Sequence, residues 1–131
     1  MKKQDPEKLA ETKARLAALM RSLNREDGRR TVVVVEGDRD EEAIRALGYR
    51  GEVFRLCACG RSYSGLLSAS ENCHRTVLLT DYDRKGSYML HRASRMLQGK
   101  GLVVDTWLRK RIRQITEGQV DHIEELGGFA T

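Results

Sequence analysis

No run of residues in this chain is long and apolar enough to span a bilayer, which excludes a helical integral membrane protein. Aromatic residues make up only 5%, so stacking on nucleobases is expected to be a minor term in any nucleic-acid contact. Neither a G-x-G-x-x-G fingerprint nor a P-loop occurs, which leaves dehydrogenase and nucleoside-triphosphatase readings without support. The cysteines, Cys57, Cys59 and Cys73, are an odd count with no secretory signal, and they point to a reduced, cytoplasmic protein. The single proline, Pro6, stands near the start of a helical pattern, and no internal repeat or low-complexity linker interrupts the chain.

What is present is one domain of 131 residues with a formal charge of +5, a balance that favours an anionic partner. The charge is concentrated. Between Arg84 and Gln114 there are nine basic residues, Arg84, Lys85, Arg92, Arg95, Lys100, Arg109, Lys110, Arg111 and Arg113, against one acid, Asp105. Such a segment has the charge of a nucleic-acid-binding face, with a solvated helix surface as the alternative. Lys85, Arg84, Arg92, Arg109, Lys110 and Arg111 are the expected phosphate contacts.

Hydrophobic periodicity divides the chain into three parts. Residues 1–30 read as an amphipathic helix carrying Leu9, Leu16, Leu19 and Met20, followed by a linker at Gly28–Arg30. Residues 31–105 alternate short apolar runs with helical patterns: "VVVV", "GEVFRLC", "TVLLT" and "GLVVD" as strands, with helices between them. Asp38 or Asp40 is expected to cap the first of these helices. Apolar strands without a polar face imply a parallel sheet covered on both sides. The expected fold is therefore α/β, a three-layer Rossmann-like domain with about four parallel strands. Residues 106–131 read as a basic helical extension packed on that core.

Two of the strands end in acids, one in Glu36 and the other in Asp81 and Asp83. Parallel strands deliver their carboxyl ends to one edge, so these groups can converge although more than forty residues separate them. Clustered acids repel one another, and hard oxygen donors suit Mg²⁺ or Mn²⁺ between them. Gly86 is expected to let the backbone turn closely into the following helix.

The runs "VVVVEG", with Glu36, Gly37 and then Asp40, and "VLLTDYDRKG", with Asp81, Asp83 and Gly86, resemble the Toprim domain. That domain is shared by topoisomerases, bacterial-type primases, overcoming-lysogenization-defect nucleases, recombination-mediator proteins and the 5S rRNA maturation nuclease. The resemblance covers about residues 31–105, and "TDYDRKG" is close to the nuclease-like and primase-like form. It implies Glu36 as general acid or base, able to join Asp81 and Asp83 as a ligand of Mg²⁺ or Mn²⁺, and phosphoryl transfer as the chemistry. Asp40 occupies the further acidic position, with a structural capping role open beside a ligand role; Gly37 and Gly86 are structural. The chain departs from many nuclease-like members by carrying Asp38 where they carry lysine. It also lacks the separate domains of a self-sufficient topoisomerase or primase.

The resulting expectation is a metal-dependent nuclease acting on nucleic acid, with structured RNA favoured over DNA. A non-catalytic nucleic-acid-binding or assembly module is the alternative. Aspartyl-phosphate enzymes also carry D-x-D after a strand, but their lysine and further acids on later strands have no counterpart here beyond Asp105. Tyr82, between the two aspartates, is expected to point away from them. Cys57, Cys59, Cys73 and His74 lack zinc-ribbon or finger spacing. His91 and His122 are expected at the surface, and Glu124 and Glu125 on a solvated helix face.

Overall fold

Val32–Val35 place apolar side chains on both sides of the backbone, which a strand tolerates only when both its faces are covered. The computed structural model, which describes residues 5–25, 30–58 and 63–131, bears this out. Strand β1 (Thr31–Val35) is buried throughout and lies inside a four-stranded, wholly parallel sheet of order β2-β1-β3-β4. Its neighbours are β2 (Glu52–Arg55) and β3 (Arg75–Leu78), with Val33 opposite Val53 on one side and Val77 on the other. Strand β4 (Val104–Asp105) pairs with the far side of β3.

Successive residues face opposite layers. Val33, Val35, Val77 and Leu79 pack with α1 (Pro6–Asn24), α2 (Asp38–Ala46), α5 (Trp107–Ile115) and a C-terminal 3-10 segment (Ile123–Phe129). Val34 and Leu78 face α3 (Ser64–Glu71) and α4 (Arg84–Gly99) through Leu66, Ala93 and Leu97. Burial of each such side chain contributes about 1.5–3 kcal/mol. The result is the expected three-layer α/β fold. Helix α1 is one of the layer's members, since Leu16, Met20 and Leu23 share a core with Val33. Of the expected linker, Gly28 lies outside the described residues, while Arg30 is paired with Glu52.

Two local expectations change. The run "GLVVD" forms only a two-residue strand, because the Leu102 amide instead closes helix α4 on the Leu97 carbonyl, at 3.1 Å. A short edge strand with Val103 exposed limits edge pairing with other chains. Helix α2 is capped by Gly37 rather than by Asp38 or Asp40, and Asp40 reaches back from the third helical position to accept the Gly37 N–H at 3.0 Å.

The crossovers decide where a ligand can enter. Helix α2 carries the chain from β1 to β2 over one face, and α4 carries it from β3 to β4 over the other. The connections diverge between β1 and β3 and leave a crevice at their carboxyl ends. Among the described residues no helix is long and apolar enough to cross a membrane.

Candidate metal centre

Glu36 leaves the carboxyl end of β1 and the segment Thr80–Asp83 leaves β3, so both enter that crevice. The backbone N–H of Asp81 donates to Oε2 of Glu36 at 2.7 Å, tying the two strand ends together. Gly86 explains why the loop can close so tightly. A Cβ at this position would overlap the Asp81 carbonyl, and the Gly86 carbonyl accepts the Thr80 hydroxyl at 2.7 Å.

Each aspartate has one oxygen held by a backbone N–H. Asp81 Oδ1 accepts from Ile123 N at 2.7 Å, and Asp83 Oδ1 accepts from Gly86 N at 2.7 Å as the N-cap of α4. The second oxygens turn toward one imidazole: His122 Nδ1 lies 3.3 Å from Asp81 Oδ2 and 3.7 Å from Asp83 Oδ2. Donor atoms of Asp81, Asp83 and His122 all lie within 4.8 Å of one another. Two carboxylate oxygens and an imidazole nitrogen at this separation fit a divalent cation, and the nitrogen suits Mn²⁺ better than Mg²⁺. Glu36 is not one of this set, and its Oε2 is committed to the Asp81 amide.

The acids strain one another electrostatically. Burial pushes the Glu36 carboxyl above its ordinary value, and the charges of Asp81, Asp40 and Asp83 add to that rise against the opposing Asp81 N–H bond. Asp40 is also raised, chiefly by burial and then by Asp81. His122 is raised by its hydrogen bond to Asp81.

Cations sit elsewhere than a single patch. Arg109 is half-buried: its Nε donates to the Thr80 carbonyl at 2.9 Å and its Nη2 to the Asp81 carbonyl at 2.5 Å. It therefore clamps the acidic loop instead of reaching out to phosphate, and burial lowers its pKa. Tyr82 is held between Arg109 and Arg113, 4.6 and 4.9 Å from the ring centre, with its hydroxyl on the Arg109 carbonyl at 2.6 Å. Burial pushes the phenol up to about 12, which leaves it a structural strut. Lys110 is exposed, and Arg111 turns to Gln114 and helix α1. Arg84, Lys85 and Arg92 project from α4 on the opposite side of the sheet, so the basic segment is divided between two faces.

No protein-family model matches the chain. A UPF0292 protein of Thermococcus onnurineus is 35% identical over 120 residues, covering 92% of this chain and 86% of the relative. The chain belongs to the UPF0292 family. Further members are those of Thermococcus sibiricus, 34% identical over 92% of this chain and 91% of the relative, and Methanosarcina barkeri, 30% identical over 86% and 78%. A solved structure of an Aquifex aeolicus protein superposes with a TM-score of 0.69 over 86% of this chain and 95% of the other, at 24% identity, a likeness of fold.

In this UPF0292 chain His122 is exposed, as its sequence implies, and it also completes the donor set, a role its sequence does not announce. Its only local signal is the run "DHIEEL", in which Glu125 Oε1 accepts the N–H groups of Asp121 and His122 at 3.1 and 2.8 Å. Glu125 is thus part of a turn that presents His122, not simply a solvated acid. The Asp121 carbonyl also accepts the Tyr82 N–H at 2.8 Å, docking this turn on the acidic loop. His91 is exposed on α4. Cys57 lies at the carboxyl edge, its N–H on the Glu36 carbonyl, whereas Cys73 and His74 lie at the amino edge beside Glu52 and Arg30. Cys59 is outside the described residues. Asp38 is ion-paired with Arg55 of β2.

Proposed function

We propose that this UPF0292 protein is a Toprim-like, divalent-metal-dependent phosphodiester-processing protein that cuts structured RNA. The observation that carries the reading is Glu36 facing the D-x-D loop across the strand crevice, bonded to the Asp81 amide beside the Asp81–Asp83–His122 donor set. Asp81, Asp83 and His122 are the residues that would hold Mn²⁺ or Mg²⁺. An ion held there would supply Lewis acidity toward a phosphate oxygen and a more acidic water. Glu36, its carboxyl raised by burial, holds or takes a proton at its carboxylate near that cluster. Arg109 and Gly86 keep the loop in the shape that aims both aspartates inward. The free thiols Cys57 and Cys73 fit work in the reducing cytoplasm.

A second reading, a non-catalytic nucleic-acid-binding or assembly module, draws support from Asp38, an acid ion-paired with Arg55 where many nuclease-like Toprim members carry lysine. The deciding experiment incubates the purified protein with Mn²⁺ or Mg²⁺ and structured RNA precursors, in parallel with duplex and single-stranded DNA. Cleavage abolished in an Asp81→Asn, Asp83→Asn double variant supports the enzyme. Nucleic-acid binding without cleavage under either ion favours the second reading.

A further inference from the structure

Next to the acids, on the face covered by α3 and α4, runs an open groove of about 560 Å³. One wall is the 3-10 turn that follows β2, with Leu56 and Cys57, and Cys57 lies against the site itself: its Sγ is 3.9 Å from where a Cβ on Gly37 would stand. The other wall is helix α4, whose Lys85, Tyr88, Met89 and Arg92 are spaced to share one face. Tyr88 is 63% exposed, a large aromatic surface left open to solvent. Arg92 lies over the Tyr63 ring at 4.9 Å, which fixes its guanidinium over the groove, and among the described residues no acid lines the cavity.

We infer that this groove binds an unpaired nucleotide of a nucleic-acid strand, its base on Tyr88 and Met89 and its phosphate between Lys85 and Arg92. The inference rests on the phosphodiester reading above for the reaction that such a strand would undergo. Three features of the groove match this ligand and no simple anion. It offers cations for the phosphate, an exposed ring for a base, and a place beside the acids, since its Cys57 bonds the Glu36 carbonyl through its N–H and its Lys85 follows Asp83 by two residues. A duplex keeps its bases stacked inside and presents no face to Tyr88, so the groove selects strands with unpaired positions. Aromatics are few in this chain, yet one of the most exposed stands where a base would meet it.

The test is fluorescence anisotropy in EDTA with a short fluorescein-labelled oligouridylate, a fully paired RNA duplex, and inorganic polyphosphate as competitor. Tyr88→Ala should weaken oligouridylate binding by roughly fivefold or more, from the loss of one stacked base, and Tyr88→Phe should retain it. Lys85→Ala with Arg92→Ala should weaken binding and flatten its dependence on salt by about 0.7 per lost contact. Mn²⁺ affinity should stay unchanged in all of these variants. The inference is overturned if Tyr88→Ala binds the oligonucleotide as wild type does, if the duplex binds more tightly, or if polyphosphate competes equally well. The two readings separate cleanly. Strand binding that depends on Tyr88 in a protein that cuts nothing upholds the groove and removes the nuclease; cleavage undiminished by all three substitutions removes the groove alone.

Discussion

The Asp81 amide bonds to the Glu36 carboxylate at 2.7 Å, joining residues 45 positions apart across the gap between β1 and β3. That bond places a raised-pKa carboxyl against the loop whose second aspartate caps α4, so Glu36 and the candidate ion ligands share one support. Changes on either side of it have separable outcomes.

Asp83→Asn should lower Mn²⁺ affinity at least tenfold while leaving the fold intact, because Asn still accepts the Gly86 N–H. Asp83→Ala should in addition cost about 1 kcal/mol through the lost cap. Isothermal titration and a thermal melt on the two variants measure these effects. His122→Ala should remove any preference for Mn²⁺ over Mg²⁺, since the remaining donors are oxygens.

Glu36→Gln should abolish cleavage yet raise stability at neutral pH. The amide oxygen still accepts from Asp81 N, and a charge disfavoured by burial and by three neighbouring acids is gone. The folded-state pKa of Glu36 lies above its ordinary 4.5, so the folded protein holds this proton more tightly. Its contribution to stability is fully present below pH 4.5 and is lost as pH rises through the folded pKa. The gain from Gln should therefore be largest near pH 7–8 and vanish toward acid pH. At this half-exposed site it should reach at most about 1 kcal/mol, a few degrees in Tm.

In the ion-free protein the His122 imidazole should titrate above 6.5, because its bond to Asp81 favours the imidazolium. The stabilisation from that pair is full below pH 6.5 and disappears as pH rises through the folded value. Proton NMR of the ring should show the raised midpoint, and Asp81→Asn should return it toward 6.5.

Arg109 and Lys110 are sequence neighbours with different expected phenotypes. Arg109→Ala removes charged hydrogen bonds to the Thr80 and Asp81 carbonyls and should cost about 1.5–3 kcal/mol, with weaker Mn²⁺ binding. Lys110→Ala should leave stability and metal binding alone. If Arg109→Ala melts like wild type, the clamp has no energetic role.

Gly86→Ala should be the most damaging small substitution in the site, at about 3 kcal/mol or more. The obstacle is the backbone of Asp81, which no rotamer change can clear. Circular dichroism melts combined with Mn²⁺ titration would show the loop displaced.

Much of this architecture was legible in one dimension because it depends on local periodicity. Four β-branched valines in a row read as a strand covered on both faces, so Val32–Val35 implied the parallel sheet, and acids directly after two such strands could meet at its carboxyl edge. Gly86 was readable for the same reason, since a turn from strand into helix within a few residues leaves no room for a side chain. What only the tertiary structure decided was which distant groups complete that edge. His122 enters from a C-terminal turn forty-one residues beyond Asp81, and no periodicity near "DHIEEL" encodes that approach. The run "RKR" reads as one patch of charge. A helix turns each residue by about 100°, and it sends Arg109 into the acidic loop, Lys110 to solvent and Arg111 toward α1. Composition determined how much positive charge this protein carries, and packing alone determined which of it is spent holding two aspartates in place.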